Sequence, residues 1–245
     1  MVKEKNISDF EKLSLHQAFV QARLAKGYRF LDLSGIVLNR LGELYEEINI
    51  SPAGGVLSKR RNSKDPYAVR FSTEVIWLRY VPLESLEYVV DTASDWINSI
   101  ARDIEVKNFK TLGLRSQYFV KSTHIIKSAT LLAKRISGEA LQSIITDVGE
   151  SRDVGIEYVV RVPINKFIAV VRANAIRILR VAEESIDYPS DGLCFDVDIY
   201  WQRKEPNLIP RAETKDFLRS GADHTYELLE KIGYKLMEDI NGKAI

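Results

Sequence analysis

Leu86-Glu87-Tyr88-Val89-Val90-Asp91-Thr92-Ala93-Ser94-Asp95-Trp96-Ile97-Asn98-Ser99-Ile100-Ala101-Arg102-Asp103-Ile104 is the stretch on which the fold turns. Leu86, Val90, Ala93, Ile97, Ile100 and Ile104 recur at helical spacing, and Trp96 broadens their stripe. Pro82 stands a few residues ahead, at a place suited to a helix start. The neighbours on either side have a different period. Before it, strands are expected near 56–60 and over 67–81, joined by the polar turn Arg60-Arg61-Asn62-Ser63-Lys64-Asp65-Pro66. Within 67–81, Val69, Phe71, Val75 and Trp77 fall on one face and Arg70, Ser72 and Glu74 on the other. After it, 107–121 is rich in β-branched and aromatic residues and reads as a strand. An amphipathic helix between strands of alternating pattern points to sheet with helices laid on it.

The same reasoning extends to both ends. Residues 7–26 place Ile7, Phe10, Leu13, Phe19 and Leu24 near one helical face, with Gly27 as a stop. Tyr28-Arg29-Phe30-Leu31-Asp32-Leu33 reads as a strand start, 36–48 suits either helix or strand, and Ser51-Pro52-Ala53-Gly54-Gly55 is a loop. Further on, a helix is expected over 124–146, with a bend at Gly138. Strands are expected near 153–163, 166–172, 175–183 and 193–203. A closing helix over 212–240 carries Phe217, Ala222, Tyr226, Leu229, Ile232 and Leu236. The expected class is α+β: a mainly antiparallel sheet with long helices packed on one face, in two similar halves of helix–strands–helix. The chain is read as one unit over 1–245, with subdomains 1–121 and 122–245 as the alternative.

Charge and cysteine content limit the function. Thirty-five Lys and Arg against 34 Asp and Glu leave a formal charge of +1, which excludes a globally basic nucleic-acid binder but not a local patch. One cysteine, Cys194, excludes a disulfide framework and a cysteine-rich zinc module. Met1 to Asn6 has no apolar core of a signal peptide, and no stretch approaches about 20 apolar residues, so a cytoplasmic protein without membrane contact is expected.

The chemistry is sparse. His16, His124 and His224 have no second ligand at metal spacing. No phosphate-binding glycine loop and no Gly-x-Ser-x-Gly elbow is present, so no cofactor is expected. Cys194 on a strand reads as a small core residue. Asp196 and Asp198, two apart on a strand, project to one face; with Glu183 or Glu184 they could hold a magnesium ion for hydrolysis, or they could be a solvated strand face. Arg115 is flanked by apolar residues on its own strand and needs a carboxylate; Asp196 or Asp198 is the expected partner, forming a structural ion pair. Lys59, Arg60, Arg61 and Lys64 make the densest basic segment, with Tyr67 beside it to stack on a base and Arg70, Arg79 and Arg115 to extend the patch. The alternative for that hairpin is a solubilising loop that blunts a sheet edge.

Leu112-Gly113-Leu114-Arg115-Ser116-Gln117-Tyr118, after the helix carrying Trp96, resembles the Gly-Leu-Arg strand of a sporadically distributed family of uncharacterised prokaryotic α+β proteins. Leu193-Cys194-Phe195-Asp196-Val197-Asp198-Ile199-Tyr200 and the long helix after it resemble that family's closing elements. Ser116-Gln117 stands where the family has Tyr-Ile. The resemblance implies the α+β fold and a prokaryotic source, and it brings no activity with it.

The expectation for function is therefore a non-enzymatic binding or assembly protein. It would act through protein–protein contacts, with surface aromatics such as Tyr67, Trp77, Tyr200 and Trp201 as a partner face and a homodimer as the simplest assembly. Nucleic-acid binding through 59–70 is the alternative. A hydrolase using Asp196 and Asp198 comes third.

Overall fold

The computed structural model describes residues 13–25, 29–52, 54–81, 85–121, 157–177, 191–203 and 206–233. The expected helix over 124–146, Pro82, Gly27, the ends of the first and last expected helices, Glu183 and Glu184 lie outside the described residues.

The central helix forms where its stripe says. Ser85 is extended and its hydroxyl accepts from the Tyr88 amide at 3.4 Å, closing one of the free donors of the first turn. From there the helix runs Leu86–Asp103 (α2, with α1 the helix over Phe30–Leu41). It buries Leu86, Val89, Val90, Ala93, Ile97, Ile100 and Ala101. Each large aliphatic side chain among them contributes about 1.5–3 kcal/mol. The helix ends without a glycine. Val106 donates to the Ala101 carbonyl and Glu105 to that of Arg102, with Glu105 itself at φ 57.

Ten described strands form one sheet, and every pairing in it is antiparallel. In chain order they are β1 (Leu13–Leu24), β2 (Tyr45–Ser51), β3 (Gly54–Arg60), β4 (Ala68–Ser72), β5 (Val75–Tyr80), β6 (Asn108–Lys121), β7 (Glu157–Ile164), β8 (Phe167–Arg177), β9 (Asp191–Gln202) and β10 (Ile209–Pro210). The spatial order is β2-β3-β4-β5-β1-β6-β9-β8-β7, with β10 on β6. The third described helix, α3, spans Thr214–Leu228. Its Gly221 sits so close to the sheet that an added Cβ would come within 3.3 Å of Leu114 and 4.0 Å of Ile199. α3 thus covers the apolar face of β6 and β9, while α2 packs on α3, β5 and β1.

Several expectations fail, each for a physical reason. Residues 13–24 are a strand, not part of a helix over 7–26. Ala, Gln and Leu favour helix in isolation, but β1 sits between β5 and β6 and pairs along both sides, and that pairing outweighs propensity. Phe30–Leu33 begins a helix rather than a strand, and 36–48 splits into helix, a 3-10 turn and β2. The run 67–81 is two strands. The Ser72 hydroxyl accepts from the amides of both Glu74 and Val75 at 3.2 Å and folds the chain back there. The turn also shifts the phase, so Ile76, Leu78 and Tyr80 are buried in place of Val75 and Trp77. The strands expected at 166–172 and 175–183 share one strand, β8, through Arg177. The closing helix is α3 with a 3-10 turn before it and a π turn after it, Leu229–Gly233, and Tyr226 is exposed rather than inward.

Candidate functional site

Alternation along β6 and β9 sends Leu112, Leu114, Ser116 and Tyr118, with Phe195, Val197, Ile199 and Trp201, into the core. It leaves Arg115, Gln117, Asp196 and Asp198 on the second face of the sheet. Arg115 lies directly opposite Asp198, yet its guanidinium reaches diagonally to Asp196, which lies opposite Gln117. The Nε donates to both carboxylate oxygens, at 2.8 and 3.0 Å, and Nη2 donates to Oδ2 as well. Arg172 of β8 stands 4.0 Å from the same carboxylate. The Asp196 side chain is 7% exposed and that of Arg115 is 44%, so a buried anion is tied to a cation that still sees water. Phe19 of β1 lies beneath the Arg115 guanidinium at 5.9 Å. Hydrogen bonds continue the row: Gln17 donates to Gln117 at 2.5 Å, and Arg79 donates to Gln17 at 3.2 Å.

The charged groups of this arrangement pair with one another. Burial holds the Asp198 carboxyl above its usual range; Arg115 and Arg172 pull it down and Asp196 pushes it up. Burial, with Asp196 beside it, pushes the Cys194 thiol up to about 12, against the opposing pull of Arg115. A thiol held protonated is a poor nucleophile. No group of three or more His, Cys, Asp or Glu fit to hold a metal occurs among the described residues. Asp196 and Asp198 face guanidinium groups instead. His224 pairs loosely with Glu227 at 3.5 Å and packs on Phe167, which is buried on the face of the sheet opposite both aspartates.

The basic hairpin is only partly free. Lys59, at φ 58, holds Glu47 at 2.5 Å. Arg60 is half-buried and donates to the carbonyls of Asp65 at 2.5 Å and Val81 at 2.8 Å, so it braces the β3–β4 loop. Tyr45 and Tyr88 donate to the carbonyls of Pro66 and Lys64 and pin the same loop. Arg61 and Lys64 remain as its exposed cations. Tyr67 lies under the Arg79 guanidinium at 5.4 Å. Of the expected partner face, Tyr67, Trp77 and Tyr200 are half-exposed, but Trp201 is buried in the core, with Lys166 and Arg203 over its ring.

Two features were missed in the sequence. A cleft of about 680 Å³ lies between α2 and β10, lined among others by Asp95, Asn98, Arg102, Lys107 and Arg211. The strand β2 pairs only with β3 among the described strands, and Glu46 to Ser51 are all exposed. Ile48 and Ile50 lie there 47% and 56% exposed. The signal in the sequence was Ile48-Asn49-Ile50 itself, an alternating apolar pair just before a turn, hidden by the ambiguity of 36–48. No helix among the described residues is long and apolar enough to cross a membrane. No protein-family model matches the chain, and no curated protein matches it.

Proposed function

We propose that the protein is a non-enzymatic assembly protein, and that the contact it makes is with a second copy of itself along β2. The observation that carries this reading is the pair Ile48 and Ile50, exposed on a strand that has no second partner among the described strands. Such an edge pairs with another strand unless charge, proline or a bulge blunts it. Between Tyr45 and Ser51 there is no proline and no cation. A two-fold axis through Asn49 sets Ile48 of each copy against Ile50 of the other on one face, and Asn49 against Asn49 on the reverse. The sequence Ile48-Asn49-Ile50 is thus complementary to itself. Glu47, the charge nearest the axis, is already engaged by Lys59 and Ser58 within its own hairpin. Gly42, just after α1, approaches Ile48, and α1 adds the exposed Leu31 and Ile36. In this reading the long helices share one face of the sheet, and the Gly-Leu-Arg resemblance supports a prokaryotic protein of the same architecture. The reading leans away from an enzyme, because the Cys194 thiol is buried and held protonated and the Asp196 carboxylate is bound by Arg115.

Sedimentation velocity over the micromolar range tests this. The wild type should sediment as a dimer, and Ile48→Lys with Ile50→Lys as a folded monomer. Asn49→Cys should form a disulfide-linked dimer on oxidation, since directly opposed antiparallel residues lie within reach of that bond. A wild type that stays monomeric to about 100 μM, well above the Kd range of specific complexes, ends the proposal.

A further inference from the structure

The second face of the sheet carries an arginine-rich pattern that the β2 edge does not use. Arg23, Arg70, Arg79, Arg115, Arg161 and Arg172 all register on it. Arg115 and Arg172 are spent on Asp196 and Asp198, and Arg79 binds Gln17 and lies over Tyr67. Arg23 and Arg70 are exposed. One row runs straight across five strands: Arg70 on β4, Trp77 on β5, Gln21 on β1, Gly113 on β6 and Tyr200 on β9. The last four are half-exposed.

Three properties of that row point to one class of ligand. First, its aromatic rings stand on rigid strands. Trp77 is stacked on Phe19 at 5.5 Å and 28°, so its plane is held before anything binds. Second, Gly113 is not required by packing. A Cβ there would meet Tyr200 Cβ at 3.8 Å and the Gln21 carbonyl oxygen at 4.0 Å, both ordinary contacts. The missing side chain leaves a dent between Gln21 and Tyr200, and a glycine in a strand interior can mark a close approach by a ligand. Third, Gln21 at the rim of the dent offers a donor and an acceptor on one amide, and the arginines at the flank offer flat cations that pair with phosphate and stack on rings. Trp77 and Tyr200 are three strand spacings apart, about 14 Å. That is room for two or three unstacked bases, the number that aromatic side chains on a four-stranded RNA-binding sheet accommodate.

We propose that this face binds single-stranded nucleic acid, with bases against Trp77 and Tyr200 over the floor at Gly113 and phosphates on Arg70 and Arg23. A duplex keeps its bases stacked inside and offers this surface only phosphates. Binding should therefore prefer single strands and weaken as salt rises.

Fluorescence anisotropy with a labelled oligothymidylate, a labelled oligouridylate and a duplex of equal length tests this. The single strands should bind the wild type more tightly than the duplex does. Arg70→Glu and Gly113→Val should each weaken single-strand binding at least about tenfold. Thermal melting of both variants should stay at the wild-type value, because Arg70 is exposed and a Cβ at Gly113 has room. No binding of either single strand at low salt overturns the proposal. So does equal affinity for the duplex, which would mean charge alone. Unchanged binding by both variants, with loss in Arg61→Glu combined with Lys64→Glu, also overturns it and puts the contact on the β3–β4 loop.

Discussion

The middle of the sheet and its β2 edge treat their outward side chains in opposite ways. On β1, β6 and β9 the residues turned away from α3 are largely polar, and many are bound to one another or to a neighbouring strand: Arg115 to Asp196, Gln17 to Gln117, and Arg79 of β5 to Gln17. At β2 the side chains on the face of buried Leu57 are Ile48 and Ile50, 47% and 56% exposed. A central strand has its backbone satisfied on both sides, so its outward side chains need only one another. β2 has one partner among the described strands and two half-exposed isoleucines, so it is less complete in both respects. The other edge, β7, differs again, since Arg161 and Pro163 interrupt it and both are exposed.

The contrast makes its largest prediction in stability. Leu114→Ala empties a site under Gly221 of α3 and should cost about 2–5 kcal/mol in urea unfolding. Ile48→Ala should change the unfolding free energy of the monomer by about 0.5 kcal/mol or less, measured at protein concentrations too low for dimer. Comparable costs at the two sites would show that the edge is as packed as the centre.

A smaller effect is expected from the ion pair. Arg115→Ala leaves a buried carboxylate with Arg172 at 4.0 Å as the nearest cation among the described residues. Because Arg115 is partly in water, the loss should fall between the surface and buried extremes, about 1–3 kcal/mol. A cycle of Arg115→Ala, Asp196→Ala and the double variant should be non-additive. Additivity in that cycle would mean that the two side chains, though in contact, contribute independently.

The smallest effect concerns Asp198. Its carboxyl is held above its usual range chiefly by burial, against the pull of Arg115 and Arg172. A group raised in this way adds stability below its unfolded pKa and loses it as pH rises through the folded one. Asp198→Asn removes that loss. The variant should be more stable than the wild type at neutral pH, and the advantage should vanish as pH falls toward about 4, the unfolded carboxylate range. Denaturation midpoints at the two pH values read this directly, and an equal difference at both would contradict the sign of the shift.

How far the site was legible follows from the same geometry. Arg115 and Asp196 could be singled out because each is a charge among apolar neighbours on a strand, and such charges need partners. That Arg115 takes Asp196 diagonally, rather than Asp198 directly across, depends on the register between strands about 80 residues apart in the chain. The basic loop was legible as charge, but not the use of Arg60 to brace Asp65 and Val81, because those carbonyls are fixed by the loop's path. The alternation of Ile48-Asn49-Ile50 was legible, but not that β2 stands at the end of the described sheet. Ile48 and Ile50 look like any buried strand pair until the order of the sheet leaves them at its end.

Periodicity alone placed α2, because a helix makes its own hydrogen bonds and its apolar stripe is written in local spacing. The β-branched and aromatic content of 107–121 placed β6, and the apolar residues alternating with Asp196 and Asp198 placed β9, together with the mixed helix-and-strand class. Only the tertiary structure decided that residues 13–24 are a strand. Their Ala, Gln and Leu would make a passable helix, and the backbone partners that draw them into β1 come from Val75–Tyr80 on one side and from 109–120 on the other. A strand's hydrogen bonds lie in other segments of the chain, so the preference of its own residues cannot settle its conformation until those segments arrive.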